Sequence, residues 1–147
     1  MDSNSVIVLA FDGNKIVGAS TGIPLREETE EVKRPFIAAG YDLDRIFYCG
    51  ESVLLDEYRG QGAGVAFFEH RETHAKSIDG MQLACFCGVQ RPNNHPARPM
   101  DYQPLDRFWR NRGYEQKPDL ITTFSWKDVG DTKETEKPMM FWMKSLI

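Results

Sequence analysis

The alternation of apolar and polar positions changes period several times along this chain, and each change marks an element. Val6 to Phe11 and Lys15 to Ile23 are β-rich apolar runs separated by Asp12-Gly13-Asn14, where glycine takes the positive φ that a tight turn demands. They predict a β-hairpin. Pro24 to Asp44 is polar and then mixed, a charged excursion, and the apolar run Arg45 to Leu55 then predicts a long central strand. From Gly62 to Ile78 the apolar residues Val65, Phe67, Phe68, Ala75 and Ile78 return at three-to-four spacing, with Glu69, His70, Glu72, Thr73 and Lys76 off that stripe. That period predicts an amphipathic helix ending at Asp79-Gly80.

Met81 to Val89 reads as a buried strand, and the stretch after it, through Pro92, Pro96, Pro99 and Pro104, as a loop. Pro104 suits the first turn of a short helix, Leu105 to Arg112, stopped by Gly113. Leu120, Thr122, Phe124 and Trp126 alternate on one face of a further strand, and Met139 to Ile147 is a last apolar strand. The expected order is β-β-β-α-β-α-β-β, with the charged excursion between the second and third strands. This is a mixed α/β sheet protein.

The stretch Leu54 to Val65, LLDEYRGQGAGV, concentrates glycine where strand gives way to helix. Such a turn either serves only to reverse the chain or strips side chains from a loop whose N–H groups close around an anion. A helix N-terminus leaves N–H groups unpaired and partly positive, so strand, glycine turn and helix in series suit phosphate. The loop is not a P-loop, since no Lys-Ser/Thr pair follows the glycines. Nor is it the dinucleotide fingerprint, because Gly60, Gly62 and Gly64 are spaced G-x-G-x-G after an N-terminal hairpin.

With Arg59, Gly62 and Gly64 in place, this loop resembles the pyrophosphate loop of the GCN5-related N-acetyltransferases (GNAT), Arg/Gln-x-x-Gly-x-Gly/Ala. The segment Phe108 to Tyr114, FWRNRGY, resembles that family's second motif, and the resemblance runs over Val6 to Leu146. It implies a mostly antiparallel twisted sheet with splayed central strands, acetyl-CoA as cofactor, and acetyl transfer to a primary amine on a small molecule or peptide. CoA would then be held by Arg59, Gly60, Gln61, Gly62, Ala63, Gly64 and Val65, with backbone groups at Val53, Leu54 and Leu55 binding the pantetheine arm and the acetyl carbonyl. A homodimer is compatible with this reading. Two departures stand out. The family's initial strand and helices have no counterpart before Val6, as in either a truncated form or one with an open acceptor side, and the tyrosine that often serves as general acid is replaced by Trp109. Indole cannot protonate a thiolate, so the proton comes from Tyr102, Tyr114 or water, and Trp109 is placed beside the pantetheine arm.

Direct transfer needs a neutral amine, a stabilised oxyanion and a proton for the leaving thiolate, with no covalent enzyme intermediate. Glu51 is the chemically best base, a carboxylate within an apolar strand where desolvation would raise its pKa. In strict alternation it points with Cys49 and Val53, away from Tyr48, Gly50 and Ser52, and a bulge would shift that phase. Tyr48 and Ser52 are its alternates, and His95, in a donor-rich loop stiffened by proline, suits acceptor recognition or proton relay. The acidic run Arg26 to Lys33 reads as a solvated helix or loop, or as a border of the acceptor opening that favours a cationic substrate.

Composition narrows the classes. The 147 residues are 41% hydrophobic and 12% aromatic, enough for one domain with its own core. No run of about 18 uncharged apolar residues exists to span a bilayer, and no secretory leader is visible. The 3 cysteines, Cys49, Cys85 and Cys87, are an odd set in strand-like surroundings and read as reduced thiols of a cytoplasmic protein. Cys85-x-Cys87 lacks a second pair at zinc spacing, and His70 with His74 lacks a third ligand, so no metal is expected. The net charge of −4 gives no general nucleic-acid footprint, although Arg91, Arg98, Arg107, Arg110 and Arg112 cluster in sequence. Two other classes remain: an acyl-CoA-binding module without catalysis, and a thiol enzyme pairing Cys85 or Cys87 with His95, which a cysteine inside a strand disfavours.

Overall fold

Strand β1 (Val6–Asp12) turns through Gly13, whose φ is +60°, into β2 (Lys15–Pro24), the hairpin that the apolar runs predict. The computed structural model describes residues 4–89, 105–126 and 135–147. Strands β3 (Ile46–Leu54), β4 (Leu83–Val89), β5 (Glu115–Trp126) and β6 (Thr135–Ser145) complete one sheet in the order β1-β2-β3-β4-β6-β5. Every neighbouring pair is antiparallel except β3 and β4. A parallel pair needs a crossover, and helix α2 (Ala63–Lys76) supplies it. Helix α3 (Asp106–Asn111) precedes β5.

The alternation of strand side chains divides the interior into two cores, one on each face of the sheet. Phe47, Cys49, Ala84, Phe86 and Trp142 meet Phe68 and Ala75 of α2 on one face, with Phe108 and Trp109 of α3 packed against them. On the other, Ile46, Tyr48, Cys85, Phe141 and Met143 surround Leu25, Val32 and Phe36. The helix carrying Val32 and Phe36 corrects the expected order. The charged excursion folds as helix α1 (Glu30–Ala38), so the order is β-β-α-β-α-β-α-β-β. Its apolar and polar sides are well segregated, with Val32 and Phe36 buried one turn apart, but the helix is short and its many charges and internal Pro35 make the segment read as an excursion. Pro35 lies inside it and has no N–H to offer the Glu31 carbonyl one turn back. The Thr122 hydroxyl on β5 donates to that carbonyl instead, at 2.6 Å.

Helix α2 departs from its expected stripe at Glu72, which is buried. Lys144 Nζ lies 2.6 Å from one carboxylate oxygen of Glu72, and the Tyr114 hydroxyl donates to the other at 3.1 Å. A buried carboxylate with two donors meets the cost of desolvation that an unpaired one would carry. His74 is likewise drawn in, its Nε2 2.8 Å from the Asn4 carbonyl and its ring edge-on to Phe47, while His70 is exposed. Strand β5 starts earlier than its alternation suggests, because three residues including Pro118 loop out between the pairs Lys117↔Phe141 and Ile121↔Met140. Among the described residues no helix is long and apolar enough to cross a membrane.

Burial bears on the thiols and phenols of these cores. Desolvation pushes the Cys49 thiol up to about 11, with Glu72 adding to the rise and Arg71 opposing it. Desolvation also raises Cys85, Cys87, Tyr48 and Tyr114. Such groups hold their protons more tightly folded than unfolded. The stability contributed by Cys49 is therefore complete below pH 9 and lost as pH climbs toward about 11. Thermal melts are expected to hold steady to about pH 9 and fall steeply above it, with Cys49→Ala showing a shallower alkaline decline; superimposable pH profiles would dismiss Cys49 as a contributor.

Candidate active site

Strands β3 and β4 pair only over Ile46↔Leu83, Phe47↔Ala84 and Tyr48↔Cys85. Beyond that point each keeps its outer neighbour, β3 paired to β2 as far as Leu54 and β4 to β6 as far as Val89, so a gap opens in mid-sheet. Among the described residues its edges carry backbone groups without a strand partner. On the β3 side Leu55 N–H donates to Val17 O at 2.9 Å, and the ladder runs on through Ala19↔Val53 and Ser20↔Ser52. Backbone groups alternate in direction along an antiparallel strand. Those of Val53 and Leu55 therefore point to β2, and those of Ser52 and Leu54 point into the gap. Of the three positions named from sequence, only Leu54 turns its N–H to the gap, and Ser52 joins it.

A bulge sits where the strands part. Between the pairs Ser20↔Ser52 and Gly22↔Cys49, the two residues Gly50 and Glu51 face the single residue Thr21. The Thr21 hydroxyl accepts Glu51 N–H at 3.1 Å, and Arg71, 2% exposed, donates to the Thr21 carbonyl at 3.2 Å. A Cβ on Gly50 would stand 2.7 Å from the Thr21 hydroxyl oxygen, so glycine is what lets the bulge close. The extra residue reverses the phase of the strand. Cys49 faces α2, as does Leu54 beside Gly18 and Phe67, whereas Tyr48, Glu51 and Val53 lie on the α1 face. Strict alternation separated Glu51 from Tyr48; the bulge puts them on one face. Glu51 is also exposed, so the burial assumed for its carboxylate is not met, and its candidacy rests on placement instead.

The glycine turn lies at the end of the same strand. Gly60 and Gly62 adopt φ of +79° and +91°, which other residues enter only at a cost of about 1–2 kcal/mol. Gly62 is also the cap residue of α2, so the turn delivers the chain directly into a helix N-terminus, where unpaired N–H groups and the helix dipole favour an anion. Ala66 N–H is the first to bond back, to Gly62 O at 3.0 Å, which leaves Ala63, Gly64 and Val65 without intrahelical acceptors. A Cβ on Gly64 would come within 3.3 Å of the Phe108 ring, so α2 and α3 approach closely there. The loop is tied down by the Tyr58 hydroxyl on Asp12 at 2.6 Å and by Gln61 Nε2 on Glu57 O at 3.3 Å. Arg59 is exposed and ion-paired with Asp56 at 3.2 Å.

Trp109 stands over β4 on the α2 face, 4.9 Å from Phe86 and 5.2 Å from Trp142 between ring centroids. Gly88 makes room for it, since a Cβ there would lie 2.8 Å from the indole. Tyr114 is buried and its hydroxyl is committed to Glu72, which removes it as a proton donor. His95 and Tyr102 lie outside the described residues. Cys85 is fully buried and all three thiols are free; their raised pKa values keep them protonated, against the thiol-enzyme reading. Sequence reasoning missed Thr21 and Gly88, and weighed Cys87 as a reduced thiol, a metal ligand or a nucleophile. Among the described residues no group of three metal-ligating side chains forms.

A sheet that opens between two parallel strands beside a glycine loop and a helix N-terminus is the fold of the GCN5-related N-acetyltransferase superfamily. An aminoglycoside 6'-N-acetyltransferase solved in complex with coenzyme A superposes with a TM-score of 0.61 at 14% identity, over 100% of this chain and 76% of that one. A GNAT-family acetyltransferase from Streptococcus pneumoniae gives 0.60 at 14%, over 98% and 68%. The loading GNATL domain of CurA from Lyngbya majuscula gives 0.61 at 14%, over 95% and 76%. No sequence family and no curated protein sequence matches the chain.

Proposed function

We propose that this protein transfers an acetyl group from acetyl-CoA to a primary amine, by direct attack within a ternary complex. The observation that carries the reading is the gap between β3 and β4 opening next to the glycine loop. The pyrophosphate fits the free N–H groups of Ala63, Gly64 and Val65, and the extended pantetheine arm fits the unpaired edge of β3 at Ser52 and Leu54. Coenzyme A in the similar aminoglycoside acetyltransferase supports the same cofactor here. Backbone N–H at the gap stabilises the oxyanion as the amine nitrogen bonds to the carbonyl carbon and the C–S bond breaks. Glu51, on the far face from α2, takes the amine's proton, directly or through water. The thiolate takes its proton from water, since burial holds the Tyr48 phenol too weakly acidic to serve. Free thiols suit a reducing compartment, and we place the protein in the cytoplasm.

A screen of thiol release from acetyl-CoA against a library of amines tests the reading. Turnover on at least one amine class is expected. CoA binding with no turnover on any amine would make the chain a binding module, and no CoA binding would remove the proposal. Trp109→Phe keeps an aromatic ring against Phe86 and Trp142 and is expected to retain most of kcat; a collapse at unchanged CoA affinity would make the indole itself a participant.

A further inference from the structure

Tyr48 occupies the last paired position of β3, opposite Cys85, and its hydroxyl lies 3.3 Å from the sulfur of Cys87, the next residue of β4 on the same face. Two residues of strand span about 6.6 Å. The phenol ring therefore runs forward along the α1 face beneath the first part of the gap and reaches the opposite edge. It is 9% exposed. Phe141 backs it with centroids 6.4 Å apart, and Phe36 stands edge-on to Phe141 at 4.7 Å. Across the gap's other face Phe86 and Trp109 form an aromatic wall. Close-packed aromatic floors of this kind do not yield to an added methylene without cost.

We propose that Tyr48, pinned on Cys87 across the point where β3 and β4 part, limits the acyl group that the site accepts to a chain of a few carbons. The inference rests on the acyl-CoA reading above and adds to it the donor's acyl length and the residues that set it. A thioester carried down the gap directs its acyl group at the apex, where the ring closes the way to the α1 core. An acetyl group stops short of it, and each further methylene presses on the ring or is turned out to solvent. Burial raises the phenol and the Cys87 thiol alike, so the pair stays neutral and bridged across the working pH range. Cys87 is only partly buried, which makes it the position at which the floor can be altered with least harm to the core.

Calorimetric titration of the chain with CoA, acetyl-CoA, butyryl-CoA and octanoyl-CoA measures the limit without an acceptor. CoA and acetyl-CoA are expected to bind alike, and octanoyl-CoA at least about tenfold more weakly, in line with the cost of misfitted methylenes in a closed pocket. Cys87→Leu thickens the floor and is expected to weaken butyryl-CoA by about tenfold with CoA unchanged. Cys87→Gly frees the ring to swing and is expected to recover most of the octanoyl-CoA deficit; it carries the test should Cys87→Leu fail to fold. Octanoyl-CoA binding as tightly as acetyl-CoA to the parent chain would overturn the inference and leave the acyl-CoA reading intact. So would variants that leave the whole series unmoved. Absence of binding by CoA itself would overturn both.

Discussion

Ala63→Asp is expected to raise the Kd for CoA by on the order of a hundredfold while the melting temperature holds or rises. Ala63 is the first residue of α2 and follows Gly62, among the N–H groups that have no intrahelical acceptor. An aspartate there is favourable to the isolated helix, by roughly 0.3–1 kcal/mol through the end N–H groups and the helix dipole. The same carboxylate occupies the space and the donors that a pyrophosphate needs. Two like charges about 4 Å apart near a protein surface repel by roughly 4 kcal/mol before screening, and a hundredfold in affinity is about 2.7 kcal/mol. Helix stability and anion affinity thus move in opposite directions, which a loop serving only as a turn does not predict. Gly62 is a poorer site for this test, because any side chain at φ +91° strains the backbone and costs stability as well. Titration calorimetry alongside thermal melts reads both quantities. An Ala63→Asp protein that binds CoA as tightly as its parent would move the phosphate site away from this loop.

The glycine loop was legible in the sequence because its physical requirement is local: positive φ at Gly60 and Gly62 and an absent Cβ at Gly64 are properties of those residues alone. The hairpin, β3 and β4 were legible because their apolar runs are continuous, and α2 because the glycine turn and Asp79-Gly80 bracket it, although its buried face takes in Arg71 and Glu72 and so carries little amphipathic period. Helix α1 was not, since its charges and an internal proline mask a short apolar side, and the hydroxyl that answers for Pro35 comes from Thr122, distant in the chain. Glu72 and Lys144 were equally hidden, as nothing in the helix announces a lysine on the last strand. The bulge is the instructive case. Gly50 signals a place where strand regularity can fail, yet only Thr21 seated in the bulge and Arg71 holding Thr21 decide that it does. With it the facing of Glu51 reverses.

Glu51→Gln is expected to lower kcat by on the order of a hundredfold or more, the usual worth of a positioned proton acceptor. Glutamine keeps the size and the hydrogen-bonding atoms, and the backbone bond from Glu51 N–H to Thr21 does not involve the side chain. CoA affinity and the melting temperature are therefore expected to stay close to the parent's. That pattern separates the role of base from a structural one. An exposed glutamate that merely fills the bulge predicts near-normal kcat, and one that holds the bulge predicts lost stability with an unchanged pH profile. The deficit in kcat is expected to narrow as pH rises, because a growing fraction of the amine acceptor is then already neutral and no longer needs the carboxylate. Measurement of kcat against pH for both forms, on whichever amine the thiol-release screen returns, decides the matter. A stable Glu51→Gln protein with near-normal kcat at neutral pH would remove Glu51 from the mechanism and leave water at the gap as the amine's proton acceptor.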